Sequence, residues 1–468
     1  MTPGPGNTRL VPSATTLTPT QDQSSGTPTL GPLRRELPTI VLAAAGLGLG
    51  VVVAVAIRDE SAGALSAPGG IAIFAGSITG LVGTYLAMLM VLLASRIPPV
   101  ESALGFDGLL RWHRALGPWP ITLLSLHAFV LVIGYAQAAK TGALAEIGSL
   151  VNSYPDMLAA FVGLGLMLMA GFASVRAVRR RLRRETWWVV HLYLYLALAL
   201  SFAHIVVLGP DFVGHPVNQV VWAVVWAATA GSVLVFRFGL PLARTLRHRL
   251  VVWEVRRETP DVASIVLRGR NLDRLGVEGG QFVEWRFLAR GLWWQAHPYS
   301  VSGLPQKGYL RITVRGLGDH SRDITRLRRG TRVAFEGPYG VFTAAMRRRP
   351  KAVLVAAGVG VTSIRSLLED LPAGTAPAVI LRATSAASMP LRDEVAALVE
   401  ARGGVLHELY GSRRKHVVDG RLLRRLVPDV AERDLYVSGA EDFVASVTAA
   451  ARRLGLPDQA IHHEAYAL

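Results

Sequence analysis

Apolar residues crowd the first half of the chain in long runs, and beyond residue 240 they thin into short alternating strips. The runs cover roughly 38–57, 71–95, 108–138, 157–175, 187–208 and 216–238. Each approaches or exceeds the ~20 residues a helix needs to cross a ~30 Å hydrocarbon core. The pattern therefore predicts a bundle of six transmembrane helices. After residue 241 the period shortens. Leu250–Arg256, Ser264–Leu267, Gln281–Phe287, Leu310–Val314 and Arg332–Phe335 alternate between Gly- and Pro-rich turns, as strands of a small antiparallel barrel do. From about 350, strand and helix alternate: strands at Ala352–Ala356, Ala378–Arg382 and Leu435–Ser438, helices at Thr362–Leu371 and Leu391–Ala401. That is an α/β layout with a parallel sheet. The expected organisation is a disordered tail over 1–37, a membrane domain over 38–240, a β-barrel over 241–345 and an α/β domain over 346–468.

Charge changes this picture in one respect. The formal net charge is +17, which by itself fits nucleic acid or an anionic membrane surface. The basic residues fall in clusters between the apolar runs, as in Arg176–Arg184 and Arg237–Arg249, while the loops at 58–70, 139–156 and 209–215 carry few. This is the positive-inside asymmetry. It predicts an integral membrane protein with both termini in the cytoplasm, and it removes nucleic acid as a partner. The first 36 residues are rich in Thr, Pro, Ser and Gly without a hydrophobic run behind a basic start. They read as a disordered tail and not as a cleaved signal peptide.

The chain has no cysteine. Disulfides, thiolate-ligated iron–sulfur clusters, covalently attached haem and the cysteine-type zinc sites are thereby excluded. A redox cofactor has to be held by histidine or without covalent ligation. Four histidines lie within the apolar runs, in two pairs: His113 with His127, and His191 with His204. An imidazole in hydrocarbon is costly and needs a partner, and imidazole is a usual axial ligand of haem iron. On an ideal helix His113 and His127 are ~21 Å apart and differ by only ~40° in direction. His191 and His204 are ~20 Å apart but differ by ~140°, so a bulge, bend or tilt has to close that gap if both bind. Antiparallel crossing pairs His113 with His191 near the cytoplasmic face and His127 with His204 nearer the outside. Hydrogen bonding across helices is the competing use of such residues. Trp119 lies between the two levels and can act as a relay or as packing. Arg58, at the outer end of the first run, can meet a haem propionate or sit at the interface.

Three barrel segments carry flavin chemistry. His297-Pro298-Tyr299-Ser300 closes a strand, its tyrosine suited to stacking on an isoalloxazine and its serine to the N5 edge. Arg315, with Gly318-Asp319-His320-Ser321 opening a helix, suits a pyrophosphate. Gly337-Pro338-Tyr339-Gly340 ends the barrel. In the α/β part, Gly358, Gly360 and Thr362 form a Gly-rich turn between a buried strand and a helix, a phosphate-binding arrangement. Arg382, Ser412 and Arg413 can grip a 2′-phosphate, favouring NADPH over NADH, or form a solvated basic loop. Gly439 lets a nicotinamide approach the backbone. Tyr466 can cover the flavin or pack.

On these residues, 38–468 resembles the NADPH oxidase and ferric reductase superfamily, which joins a six-helix bis-haem domain to a ferredoxin–NADP reductase-like module. The histidine spacings of 14 and 13 match that family's third and fifth helices. His297-Pro298-Tyr299-Ser300 and Gly358-Val359-Gly360-Val361-Thr362 resemble its flavin and nicotinamide motifs. The resemblance implies FAD, NADPH and two b-type haems, a bacterial-type cell membrane, and dioxygen or ferric iron as acceptor, with no obligatory protein partner. Three departures stand out. The family's Cys-Gly-Pro reads Ser438-Gly439-Ala440 here, the terminal aromatic is Tyr466, and Leu131 stands where superoxide-dedicated members carry a second histidine beyond the outer ligand. A haem-free membrane anchor for a flavin reductase, and a channel with a nucleotide-sensing domain, are the rival readings.

Overall fold

In the computed structural model, residues 32–58, 61–412 and 417–466 are described. Contacts divide the chain into two compact units, one of Pro32–Leu240 and one that includes Pro241–Leu468.

The first unit is helical because its residues are nearly all apolar and a bilayer leaves backbone polar groups no partner but their own helix. Its main helices are α1 (Pro32–Arg58), α2 (Gly70–Ala94), α3 (Phe106–Leu116), α4 (Pro118–Ala139), α5 (Met157–Ser174), α6 (Arg184–Leu208) and α7 (Pro216–Val233). Among the described residues, six helical stretches are long and apolar enough to cross a membrane, α3 and α4 together forming one of them. Two elements differ from expectation. α1 begins at Pro32, inside the segment expected to be a tail, whereas residues 1–31 of that tail lie outside the described residues. The sixth span does not end near 238: α7 continues through a π-turn (Leu234–Gly239) into α8 (Leu240–His248). The wide turn directly precedes Pro241, which has no N–H to give to a regular ladder.

Small residues bring the spans close. A Cβ on Gly76 would run 2.5 Å from the Leu131 side chain, one on Gly83 2.9 Å from Leu124, and one on Gly134 3.0 Å from the backbone of Ile73. α2 and α4 thus touch along a glycine seam, the close approach that small residues allow in membranes. Gly163 does the same for α5 against α6, where a Cβ would stand 2.9 Å from the Ala197 carbonyl.

The second unit has two parts. The first is a six-stranded antiparallel sheet of order β1-β2-β5-β4-β3-β6, from β1 (Val251–Thr259), β2 (Val262–Arg268), β3 (Phe282–Phe287), β4 (His297–Gln306), β5 (Tyr309–Arg315) and β6 (Val333–Tyr339). Val252 N–H donates to Thr331 O (2.8 Å) and Val333 N–H to Leu250 O (2.9 Å), so first and last strands meet and the sheet closes into a barrel. Its core is filled by Trp285, Phe287, Ile265, Leu267, Leu310 and Ile312, all fully buried. The His297 motif opens β4 instead of closing a strand, because Val301 to Gln306 carry the strand on against β5.

The second part is a five-stranded parallel sheet, order β11-β10-β7-β8-β9: β7 (Ala352–Ala357), β8 (Ala378–Ala383), β9 (Val405–Tyr410), β10 (Asp434–Ala440) and β11 (Ile461–Tyr466). Between β5 and β6 lies the short α9 (Asp319–Ile324); α10 (Val361–Asp370), α11 (Arg392–Glu400) and α12 (Glu441–Arg453) belong to the parallel sheet. Helices on its two faces bury separate cores, one on Leu354, Ile364 and Val395, the other on Val353, Val437 and Val447. The chain is thus a helical bundle with six candidate membrane spans, followed by an antiparallel barrel and an α/β domain on a parallel sheet.

Candidate functional site

In the membrane unit, α3 carries His113, α4 carries His127 and α6 carries both His191 and His204. The rings of His113 and His191 stand 6.1 Å apart, and those of His127 and His204 6.2 Å apart, with interplanar angles of 64° and 61°. The expected mismatch on α6 is absorbed without a bulge, since Arg184–Leu208 is α-helical throughout. The third span is interrupted only at Gly117, which keeps right-handed helical angles and donates its N–H to the His113 carbonyl at 3.0 Å before Pro118.

These distances test the site for haem. Two imidazoles that each bind one metal from opposite sides at ~2.0–2.1 Å have their ring centres about 6 Å apart. Both pairs meet that condition. The outer orienting bond also fits: the Nδ1 of His127 faces the Gly76 carbonyl at 2.8 Å, which commits Nδ1–H to the backbone and leaves Nε2 as the free lone pair. His191 Nδ1 lies 3.4 Å from the Ser174 hydroxyl, and Trp187, which donates to the same hydroxyl at 3.2 Å, stacks on the His191 ring at 5.0 Å. Of the four rings, His127 meets the Gly76 backbone, His191 the Ser174 hydroxyl and His113 the Met90 backbone, while the Nδ1 atoms of His113 and His204 are buried without a hydrogen-bond partner. Buried polar atoms of this kind in an apolar interior call for a partner.

A cavity with an empty volume of about 1460 Å³ opens on the outer pair, lined by His127, His204, Leu131, Phe161 and Ser201, and further out by Tyr135, Glu146 and Asp211. Glu146 is buried and accepts from the Thr141 hydroxyl at 3.1 Å. Gly80 gives His127 its room, because a Cβ there would meet the imidazole, 2.7 Å from Cε1. Trp119 is 58 % exposed beside the interruption in the third span. Arg58 lies 3.1 Å from His215 Nδ1.

In the second unit, the predicted residues of three segments converge. His297 stacks over Tyr299 at 6.2 Å and faces His320 at 5.7 Å, so the start of β4 and α9 meet. Burial raises the Tyr299 phenol above its ordinary value, so the ring stays neutral. Arg315 pairs with Asp261 at 2.7 Å; burial would raise Asp261, but the hydrogen bonds from Arg315 and Thr259 and the Arg315 charge together hold the carboxyl low. Ser321 accepts the Gly318 N–H at 2.9 Å and caps the start of α9. Pro298 follows in β4, opposite Glu284.

A second cavity, of about 1500 Å³, lies between barrel and parallel sheet. Arg315, Gly358, Arg382 and Tyr466 line it. Gly358 has φ +57° with open space where a Cβ would be, and a Cβ on Gly360 would run into the Ser438 carbonyl. The turn therefore packs tightly on β10 and leaves a cradle above the start of α10, as a bound phosphate requires. Thr362 turns its hydroxyl to the Val359 carbonyl at 2.9 Å. A Cβ on Gly439 would press on Phe443 at 3.0 Å. Ser412 is described, but Arg413 lies outside the described residues with Arg414 and Lys415.

Sequence reasoning missed one cluster. The Tyr466 hydroxyl bonds Ser300 Oγ at 2.9 Å, Ser438 Oγ at 3.3 Å and Glu464 Oε2 at 2.9 Å, and both Tyr466 and Glu464 bond the Ser363 hydroxyl. Burial, then the Glu464 charge, raise the Tyr466 phenol. The flavin motif, the nicotinamide motif and the last strand thus meet at one hydroxyl. The signal available was period 2 in β11, which puts Glu464 and Tyr466 on one face.

Residues 79–202 match the family described as ferric reductase like transmembrane component. Mouse (Mus musculus) NADPH oxidase 1 is 26% identical over 169 residues, 35% of this chain and 27% of that protein. Human (Homo sapiens) dual oxidase 1 is 25% identical over 296 residues, 57% of this chain and 18% of that one. The flavohemoprotein of Bacillus subtilis (strain 168) is 25% identical over 238 residues, 46% of this chain and 58% of that one. In each case the chain spans less than two thirds of its relative. Among solved structures, flavohemoglobin from Malassezia yamatoensis aligns with 86% of this chain and 100% of its own at 17% identity, TM-score 0.42. The family match and the oxidase relatives make this chain similar to ferric reductases in its membrane part and to NADPH oxidases over the stretches aligned.

Proposed function

We propose that this chain is a member of the NADPH oxidase and ferric reductase superfamily that carries electrons from cytoplasmic NADPH, through FAD and two b-type haems, to an acceptor outside the membrane, with dioxygen giving superoxide. The observation that carries the reading is the pair of facing imidazole couples at 6.1 and 6.2 Å. When bound, flavin takes a hydride and passes electrons on singly, and haem iron relays them one at a time.

The chain's own residues do the rest. His113 with His191 hold the inner haem, and His127 with His204 the outer one. With two histidines committed to each haem, an acceptor would take its electron without bonding to the metal. Gly76 and Ser174 orient His127 and His191. Tyr299, Ser300, Arg315, Gly318, His320 and Ser321 hold the flavin. Gly358, Gly360, Thr362, Arg382, Ser412, Arg413 and Gly439 hold NADPH. Tyr466 stands at the junction of the two sites and has to yield its place for the nicotinamide to reach the flavin motif. The basic loops support a reading with both termini in the cytoplasm, in a bacterial-type cell membrane.

The test is an absorption spectrum of the purified protein with and without NADPH. A b-type Soret band that shifts on reduction is expected, and His127→Ala should remove one haem; flavin without haem would overturn the reading. Ferric-chelate reduction is the second reading, supported by Leu131, Glu146 and Asp211 in the outer cavity. Superoxide-dismutase-sensitive and ferric-chelate assays on the same membranes separate the two.

A further inference from the structure

The last span leaves its apolar stretch as α8, where Leu242 and Leu246 are 59 % and 61 % exposed beside Arg247. The helix hands over directly to the barrel, and backbone hydrogen bonds gather the barrel's turns around that point. Arg270 N–H donates to His248 O (2.8 Å), Gly269 N–H to Gly308 O (3.0 Å) and Leu288 N–H to Arg332 O (2.9 Å). Arg249, Arg268, Arg270, Lys307, Arg329 and Arg332 are therefore on one rim, and all six are exposed. Among the described residues none of them is in an ion pair. Arg268 and Arg329 lie over the Trp253 ring instead, at 5.0 and 3.7 Å. The acidic residues nearest in sequence to the five arginines are Glu254, Asp273, Asp323 and Glu336, and none of them pairs with a rim cation. Following Leu288, itself exposed, the loop to β4 presents Trp293 and Trp294 to solvent.

Unpaired cations beside exposed Leu and Trp side chains are what a bilayer surface selects. Indole rings settle at the headgroup level, and Lys and Arg are drawn to anionic lipid. A soluble protein partner would have to reach a rim that the chain itself tethers to the end of a membrane span. We infer that this rim of the barrel rests on anionic phospholipid headgroups of the leaflet from which the sixth span emerges, with Trp293 and Trp294 at the interface. The inference rests on the reading of the six helices as membrane spans. It adds a second, electrostatic attachment that fixes the barrel beside the bilayer.

Because the chain has no cysteine, Trp293→Cys gives a single labelling site in the full-length protein, and Ala373→Cys a control on the parallel-sheet part. The labelled protein is placed in nanodiscs of phosphatidylcholine alone or mixed with phosphatidylglycerol, each with a headgroup-labelled quencher lipid. Quenching at residue 293 is expected with phosphatidylglycerol, falling with salt, and not at residue 373. Each cation near an anionic surface contributes about fivefold in partition, so Arg270→Gln/Lys307→Gln/Arg332→Gln should weaken attachment ~100-fold. Quenching that ignores lipid charge and salt, that survives the triple substitution, or that is absent at residue 293 overturns the inference. The Soret band of the same discs reports separately on haem, so loss of the haem reading and loss of lipid contact are told apart.

Discussion

Gly80→Ala isolates the outer histidine pair. An added Cβ would stand 2.7 Å from His127 Cε1, against the 3.4 Å at which ordinary contact begins. The imidazole, or the whole of α4, has to give way by at least about 0.7 Å, and by more at Nδ1, which the Cβ would meet at closer range still, while a metal–ligand bond tolerates ~0.2 Å. The same displacement breaks the bond from Nδ1 to the Gly76 carbonyl, and loss of such an orienting partner costs ~10–100-fold in metal affinity. His113 and His191 do not touch Gly80, so the inner site should survive. The expected result is haem per chain falling from two towards one, measured as the pyridine haemochrome, with helix content unchanged by circular dichroism. Gly165→Ala is the control, because nothing lies within 4 Å of a Cβ there, and it should keep both haems. Two haems retained in Gly80→Ala with an unaltered spectrum would refute the coupling of this glycine to His127. Loss of both haems in a folded protein would refute the independence of the two pairs.

Three further outcomes are expected. Arg311 bonds both Glu394 oxygens at 2.6 and 2.7 Å in a buried position, so Arg311→Met should destabilise the second unit by ~3 kcal/mol, read from its thermal transition, with Arg365 retaining part of the pairing. Burial would raise Glu394, but Arg311 outweighs it and holds the carboxyl low. Its contribution is therefore present above the unfolded carboxylate pKa of ~4.3 and lost as pH falls through the lower folded value; an acid limb of the melting curve that is unchanged in Arg311→Met would contradict this. Arg382→Ala should raise KM for NADPH ~10–100-fold, the value of a charge-assisted phosphate contact, and leave NADH unaffected; equal loss for both coenzymes would remove Arg382 from the 2′-phosphate. Glu464→Gln leaves the shape of the Tyr466 cluster but removes its charge, and should slow flavin reduction in stopped flow without changing flavin content; an unchanged rate would make the cluster structural.

The membrane half was legible in outline because a bilayer imposes one length and one backbone solution on every span. The geometry of the histidines was less so. On an ideal helix the 13-residue spacing predicts a ~140° divergence, which a bulge, bend or tilt has to close. The structure keeps α6 regular and still brings both of its histidine rings to their partners. A spacing rule reads one helix at a time, whereas ligand pairing depends on the crossing of several. What set that crossing was in the sequence as well: Gly76, Gly80 and Gly83 on α2 and Gly163 on α5. Small residues a turn apart in an apolar run mark where helices touch. They carry no chemistry of their own and so drew no attention beside the histidines.

In the second unit the motifs were legible and their convergence was not. Ser300, Ser363, Ser438 and Glu464 come from β4, α10, β10 and β11; Ser300 and Ser438 are read only within their own motifs, and Ser363 and Glu464 alone are unremarked polar sequence. Their meeting at the Tyr466 hydroxyl follows from topology. β10 runs between β7 and β11, so residues at equal height along parallel strands become neighbours: Ser438 pairs with both Ala356 and Glu464. α10 begins immediately after the Gly358–Gly360 turn, which places Ser363 in its first turn above the same strand ends. The carboxyl ends of a parallel sheet are where α/β domains bind ligands, and the strand order decides which side chains gather there. A single sequence supplies the strands. The order β11-β10-β7 that brings a C-terminal glutamate and tyrosine to the flavin motif comes only from the assembled sheet.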